Sequence, residues 1–157
     1  MRDSENSDSR TRFAQKTSLA TAACAAQMRQ EFSLWLKRYF DLDPTKISDV
    51  VLAVNEALAN AAEYAYSKLD RPGAMHLLAD YDDCADVLKV TVTDEGAWRV
   101  KDGQHTSFSR GRGIPLMRAL ADRATIESTP GGTRVCLEWS GVTAAQGAMT
   151  SAESGLG

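Results

Sequence analysis

Glu56 and Asn60 stand at i and i+4 in the run Asn55-Glu56-x3-Asn60, so on a helix a carboxylate and a carboxamide project the same way about one turn apart. An amide oxygen is a hard ligand suited to Mg2+, a cation that keeps much of its water and takes few protein ligands beside phosphate oxygens. A neighbouring carboxylate can accept the proton of an attacking hydroxyl when the substrate lies within hydrogen-bond reach. Further on, Asp94-x-Gly96 ends an apolar run. A carboxylate there can accept the exocyclic amine of adenine, while Gly96 lets a flat base approach the backbone. Gly111-Arg112-Gly113 leads directly into Ile114, where the free amides and positive end of a helix would attract phosphate. Gly132-Thr133 adds a turn and a hydroxyl. In this order the four pieces read as a nucleotide site without a P-loop.

Each piece also has an ordinary explanation. Glu56, Asn60 and Glu63 suit the solvent face of an amphipathic helix, and Asp94-x-Gly96 suits an Asx-type turn after a strand. Gly111 and Gly113 suit a flexible loop before a helix, and Gly132-Thr133 suits half of a hairpin turn. Arg110 and Arg112 either bind phosphate or stay solvated, and Trp98 covers either a base or the edge of the core. His76 and His105 form no triad with Ser or Cys and read as satisfied or exposed histidines. The succession of the pieces, more than any one of them, favours the nucleotide reading.

The elements that would position these groups follow from periodicity. Arg12 to Lys16 suits a short strand, and Ser18 is a candidate N-cap for a long helix reaching about Phe40, with Cys24, Met28, Phe32, Trp35, Leu36 and Tyr39 at helical spacing. Leu42-Asp43-Pro44 breaks that pattern. A second helix starts near Thr45, with Ile47, Val51, Val54, Leu58, Ala61 and Ala65 as its apolar stripe and Glu56 and Asn60 on the opposite side. Ala74 to Tyr81 and Val87 to Thr93 read as strands joined at Asp82-Asp83. The polar stretch from Asp94 to Arg112 is long for a compact domain and suits a functional loop or lid. Ile114 to Ala121 reads as a short helix, and Thr125 to Ser128 and Arg134 to Trp139 as strands turned by Pro130-Gly131-Gly132. The order β-α-α-β-β-α-β-β favours a two-layer α/β sandwich, with a mixed, mainly antiparallel sheet carrying its helices on one face. A doubly wound sheet fits less well, because the strands come in hairpin pairs.

At 157 residues with 43% hydrophobic content, the chain suits one globular domain. Residues 1–11 and 141–157 are poor in apolar material and read as disordered tails around a domain at 12–140. A net charge of -3 argues against direct nucleic-acid binding, which needs a surplus of cations on one face. Cys24, Cys84 and Cys136 show no CxxC spacing, so buried or half-buried thiols in a reducing cytoplasm are expected in place of disulfides or zinc. No apolar run approaches the roughly 18 residues of a membrane span, and the polar start lacks the apolar core of a signal peptide. A cytoplasmic protein without membrane contact is the expectation.

With the motifs placed, the chain from about Arg12 to Trp139 resembles the GHKL ATPase superfamily, and within it the anti-sigma factor serine/threonine kinases. Val51-Leu52-Ala53-Val54-Asn55-Glu56-Ala57-Leu58-Ala59-Asn60-Ala61-Ala62-Glu63-Tyr64-Ala65-Tyr66 is similar to the N box of that superfamily. Asp94-Glu95-Gly96-Ala97-Trp98-Arg99 resembles the first glycine box, Gly111-Arg112-Gly113-Ile114-Pro115-Leu116-Met117 the second, and Gly131-Gly132-Thr133 the final Gly-Thr turn. The family often has His where Tyr64 stands.

The resemblance implies a Bergerat-type ATP-binding fold in which Asn60 holds Mg2+ and Asp94, with Gly96, reads adenine. Gly111, Arg112 and Gly113 would wrap the phosphates beneath a lid at 97–110, Thr133 would complete the nucleotide site, and Glu56 would be the base for a serine hydroxyl. It further implies a partner switch: binding of a sigma factor of RNA polymerase, alternating with binding and phosphorylation of a STAS-type anti-anti-sigma factor. Members commonly form homodimers. Leu34 and Trp35 either contribute to such a surface or complete the core of the monomer, and the second reading is favoured. The competing readings are an ATP-binding regulatory module with little kinase activity and an interaction protein that binds no nucleotide.

Overall fold

A computed structural model of the chain describes residues 12–65, 73–96 and 113–145. Their elements run β1 (Arg12–Leu19), α1 (Ala22–Tyr39), α2 (Pro44–Asn60), a π-helical turn (Ala61–Ala65), β2 (Ala74–Asp82), β3 (Val87–Asp94), α3 (Gly113–Leu120), β4 (Arg123–Thr129) and β5 (Gly132–Trp139). The five strands form one sheet in the order β1-β2-β3-β5-β4. Every pairing is antiparallel, so the parallel component of the expected mixed sheet is absent among the described strands.

Alternation decides which face of the sheet is covered. Met75, Leu77, Ala79 and Tyr81 of β2 are buried while their neighbours are less so, and Leu88, Val90, Val92 and Asp94 repeat the pattern in β3. In β5 the buried set is Thr133, Val135, Leu137 and Trp139. A period of two with one buried face is the signature of a sheet packed on one side. Against that face lie Met28, Phe32 and Leu36 of α1, Val50, Val54 and Leu58 of α2, and Met117 of α3. The result is the expected two-layer sandwich. No helix among the described residues is long and apolar enough to cross a membrane.

The helix starts obey capping chemistry, with one correction. β1 continues to Leu19, which leaves Ser18 paired with Met75 in the ladder instead of capping a helix. Thr21, extended at φ -124° and ψ 160°, takes the cap, and its Oγ1 accepts from Cys24 N–H at 3.1 Å. At α2 the apparent break is itself the start signal: Asp43 Oδ1 accepts from Lys46 N–H at 2.9 Å, and Pro44 occupies the first turn.

The inward face of α2 also departs from expectation. Val50, Ala53, Val54, Ala57 and Leu58 are buried, whereas Ile47 and Val51 are only partly so. The helix sits mid-layer, touching α1 on one flank, α3 on the other, and β3 and β5 beneath. A helix enclosed on three sides buries a wider arc than a single stripe, and Ala53 and Ala57 permit close approach.

The chain is packed beyond residue 140, so the tail expected at 141–157 does not hold for residues 141–145. Val142 is fully buried, its N–H donates to Asp86 O at 3.0 Å, and Ala144 forms a β-bridge with Phe40. Thr143 O accepts from Asp41 N–H at 2.8 Å, and Tyr81 Oη donates to Val142 O at 2.8 Å. Sequence composition missed this strap because backbone pairing needs little apolar side-chain material. Trp35 packs against the core while Leu34 is 63% exposed. Cys24 and Cys136 are half-buried free thiols, and Cys84 is exposed on the β2-β3 turn, contrary to the expectation of burial.

Candidate functional site

Three polar residues among those described are buried: Asn60, Asp94 and Thr133. Each belongs to a different motif of the proposed nucleotide site. Burial of polar side chains without purpose is unfavourable, so their placement calls for an account.

Asn60 is the last α-helical residue of α2 and only 6% exposed, which corrects its expected place on the solvent side. After it the backbone widens into the π turn, with Ala61 N–H shared between Ala57 O and Leu58 O. Such insertions turn the following side chains relative to the helix and recur at functional sites. The π turn packs against β3, the strand that ends at Asp94. Among the described residues the Asn60 carboxamide makes no hydrogen bond. A buried amide oxygen with no donor among the described residues has the chemistry of a hard-cation ligand.

Asp94 ends β3 on the helix-facing side, 6% exposed. Its Oδ1 accepts from Gly96 N–H at 2.9 Å, which is the Asx-type turn that the sequence offered for this segment. Thr133 is its partner in the β3-β5 ladder and shares its face. The Thr133 hydroxyl lies 3.0 Å from Ser128 Oγ. Ser128 escaped the sequence reading, yet its signal was available: counting back across the hairpin from Thr133 pairs the two residues. The hairpin is closed by Thr129 Oγ1, which accepts from Gly131 N–H and donates to Gly132 O, each at 3.2 Å.

Glu56 lies one turn before Asn60 and is half-buried. Burial pushes its carboxyl above the usual range, which makes its ionised form a better proton acceptor. Gly113 opens α3. Trp139 Nε1 donates to Leu120 O at 2.9 Å and Arg118 donates to Ala124 O at 3.2 Å, so both ends of the α3-β4 connection are tied to the sheet. Gly111, Arg112, Arg110, Trp98, His105 and the lid at 97–110 lie outside the described residues.

Two concavities flank α2 on its other side. A groove of about 630 Å3 between α1 and α2 is lined by residues that include Arg29, Lys37, Ile47 and Leu52. Asn55 borders that groove and a smaller one of about 350 Å3 beside Ala59 and Glu63. Neither contains Glu56, Asn60, Asp94 or Thr133. Asn60, Asp94 and Thr133 line neither groove, so the grooves and these buried polar residues are separate features.

The family model of the histidine kinase-like ATPase domain matches residues 19–139. Among solved structures the chain is similar to the RsbU and RsbW domains of Rv1364c from Mycobacterium tuberculosis, with 23% identity and a TM-score of 0.62 over 85% of this chain and 33% of that one. That likeness shows the fold. The chain spans about a third of the length of the structure it matches.

Proposed function

The chain belongs to the histidine kinase-like ATPase domain family, and we propose that within it the chain is an ATP-dependent protein-serine/threonine kinase and anti-sigma factor. It binds a sigma factor and phosphorylates a STAS-type anti-anti-sigma factor in a partner switch. One observation carries this reading: among the described residues the buried polar ones are Asn60, Asp94 and Thr133, each from a different motif.

In this proposal Asp94 accepts the exocyclic amine of adenine, with the Gly96 turn beneath the base and Thr133, braced by Ser128, beside the acid. The Asn60 oxygen would hold Mg2+, whose charge would offset that of the phosphates. By the resemblance, Gly111, Arg112 and Gly113 would contribute the phosphate contacts. Glu56 accepts the proton of the substrate hydroxyl as its oxygen bonds to the γ-phosphorus, and ADP leaves with the bridging oxygen. Such transfers need positioning and charge stabilisation more than covalent chemistry from the protein, so few residues suffice. The partner assignment rests on the resemblance of the glycine boxes and the RsbW-type fold, and a cytoplasmic homodimer belongs to the same proposal.

The test is transfer of labelled phosphate from Mg-ATP to purified STAS-domain proteins from the same genome, alongside co-purification of sigma factors with and without ATP. Label on a STAS serine or threonine together with ATP-dependent sigma capture supports the proposal. Tight ATP binding with no transfer to any STAS protein would instead favour a regulatory ATP-binding module.

A further inference from the structure

On the sheet face turned away from the helices, Thr17, His76 and Glu95 form a continuous chain. Thr17 Oγ1 lies 3.0 Å from His76 Nδ1, and His76 Nε2 lies 2.8 Å from Glu95 Oε2. The ladder makes this chain possible: Thr17 is paired with His76 across β1-β2, and His76 with Thr93 across β2-β3, two residues before Glu95. Alternation turns His76 away from the buried side chains of Met75 and Leu77.

The proton positions follow from chemistry. An ionised carboxylate only accepts, so His76 Nε2 carries a hydrogen, and in the neutral ring Nδ1 is left to accept from the Thr17 hydroxyl. The imidazole is thereby fixed from both ends. Glu95 is the residue after Asp94, whose side chain enters the opposite, helix-facing side of the sheet. The backbone of this segment is held by the ladder at Asp94 and by the Asp94–Gly96 turn, and His76 grips the side chain between those two points.

We propose that His76, oriented by Thr17, is a positioning residue for the purine subsite: by holding Glu95 from behind the sheet it sets the direction in which the Asp94 carboxylate meets the exocyclic amine. This rests on the reading of Asp94 as the purine acceptor. Small errors in placing such an acceptor weaken recognition strongly, whereas the phosphate contacts lie elsewhere.

The experiment is calorimetry of Mg-ATP and Mg-GTP binding to His76→Ala, His76→Gln, Glu95→Ala, the His76→Ala/Glu95→Ala double variant, Thr17→Val and Asp94→Asn. GTP carries no 6-amino group, so it separates purine positioning from general loss of structure. His76→Ala and Glu95→Ala are expected to weaken ATP about fivefold to tenfold and GTP much less, narrowing the preference for ATP. The double variant should be no weaker than Glu95→Ala alone, because the His76–Glu95 bond is already lost there. His76→Gln keeps a donor for Glu95 and should recover most of the affinity, and Thr17→Val should cost about twofold. In transfer assays the KM for ATP should rise while kcat is retained. Glu95 is 60% exposed, so its truncation probes the bond without disturbing the sheet. Equal weakening of ATP and GTP, or unchanged ATP affinity in Glu95→Ala, overturns the positioning role. If Asp94→Asn itself leaves ATP affinity intact, the purine reading of Asp94 fails, and this proposal with it.

Discussion

Gly132 is seated directly on the backbone of Asp94. Its φ is +149°, and a Cβ added there would overlap the Asp94 carbonyl oxygen and stand 3.0 Å from Glu95 Cα. The Gly-Thr turn therefore does more than reverse the chain between β4 and β5. Its missing side chain is what lets β5 close on the segment that carries the buried acid.

Gly132→Ala is expected to destabilise the protein by about 1–3 kcal/mol, since the new methyl meets backbone atoms that cannot rotate away and the φ is unfavourable for a side chain. Because the strain falls on Asp94 and Glu95, ATP affinity should drop in the same variant. Urea unfolding and calorimetry check the two effects separately. Gly131→Ala is the control: a Cβ there meets only Thr129 Oγ1 at 3.8 Å, so little change is expected.

Glu56 gives a pH signature with opposite signs for stability and activity. Burial raises its folded value above the unfolded one, so its contribution to stability is fully present below the unfolded value and is lost as pH rises through the folded value. Phosphate transfer needs the ionised form and should fall as pH drops through that same folded value. Glu56→Gln should reduce transfer about 10²- to 10⁴-fold, leave Mg-ATP binding in place and remove the acid limb from any residual rate. Transfer at the wild-type rate would take Glu56 out of the mechanism.

Much of this arrangement was legible beforehand because strand alternation and hairpin pairing are local. Ser128 facing Thr133 follows from the Pro130-Gly131 turn, whereas Asp94 facing Thr133 depends on the pairing of β3 with β5 across α3, which no local signal reports. The inward turn of Asn60 was not legible, since periodicity records where apolar residues recur and α2 is enclosed on three flanks. Thr21 displaced Ser18 as a cap because strand length is set by pairing with β2, which no local signal reports. The Thr17–His76–Glu95 chain was hidden for the same reason: its members are distant in sequence and meet only once the strand order is known.

Tyr81 offers a probe of the C-terminal strap. Its hydroxyl is shared between Val142 O at 2.8 Å and Asp86 Oδ1 at 2.9 Å. Burial, then the hydrogen bond and charge of Asp86, push its phenol up to about 12. The raised value means its stabilising effect is complete below the unfolded value and disappears as pH climbs through the folded one. In absorbance titration one tyrosine should ionise only near pH 12. Tyr81→Phe leaves the Val142 carbonyl without that donor and should cost about 1–2 kcal/mol, with faster amide exchange at Val142 and Ala145.

Asn60 poses the sharpest conflict between stability and function. The Asn60 carboxamide is 6% exposed and makes no hydrogen bond among the described residues, so no described group there offsets its desolvation. Leucine has nearly the same size and no polar atoms, so Asn60→Leu should make the nucleotide-free protein more stable, by about 1 kcal/mol. The same change removes the proposed Mg2+ ligand, and Mg-ATP should bind at least about tenfold more weakly. The stabilisation that saturating Mg-ATP gives the wild type, which grows with the logarithm of ligand over Kd, should shrink to match. Thermal unfolding with and without Mg-ATP reads both effects at once: the variant starts higher and gains less. A variant less stable than the wild type without nucleotide would mean that the Asn60 carboxamide serves the packing of α2 against β3 and not a bound cation.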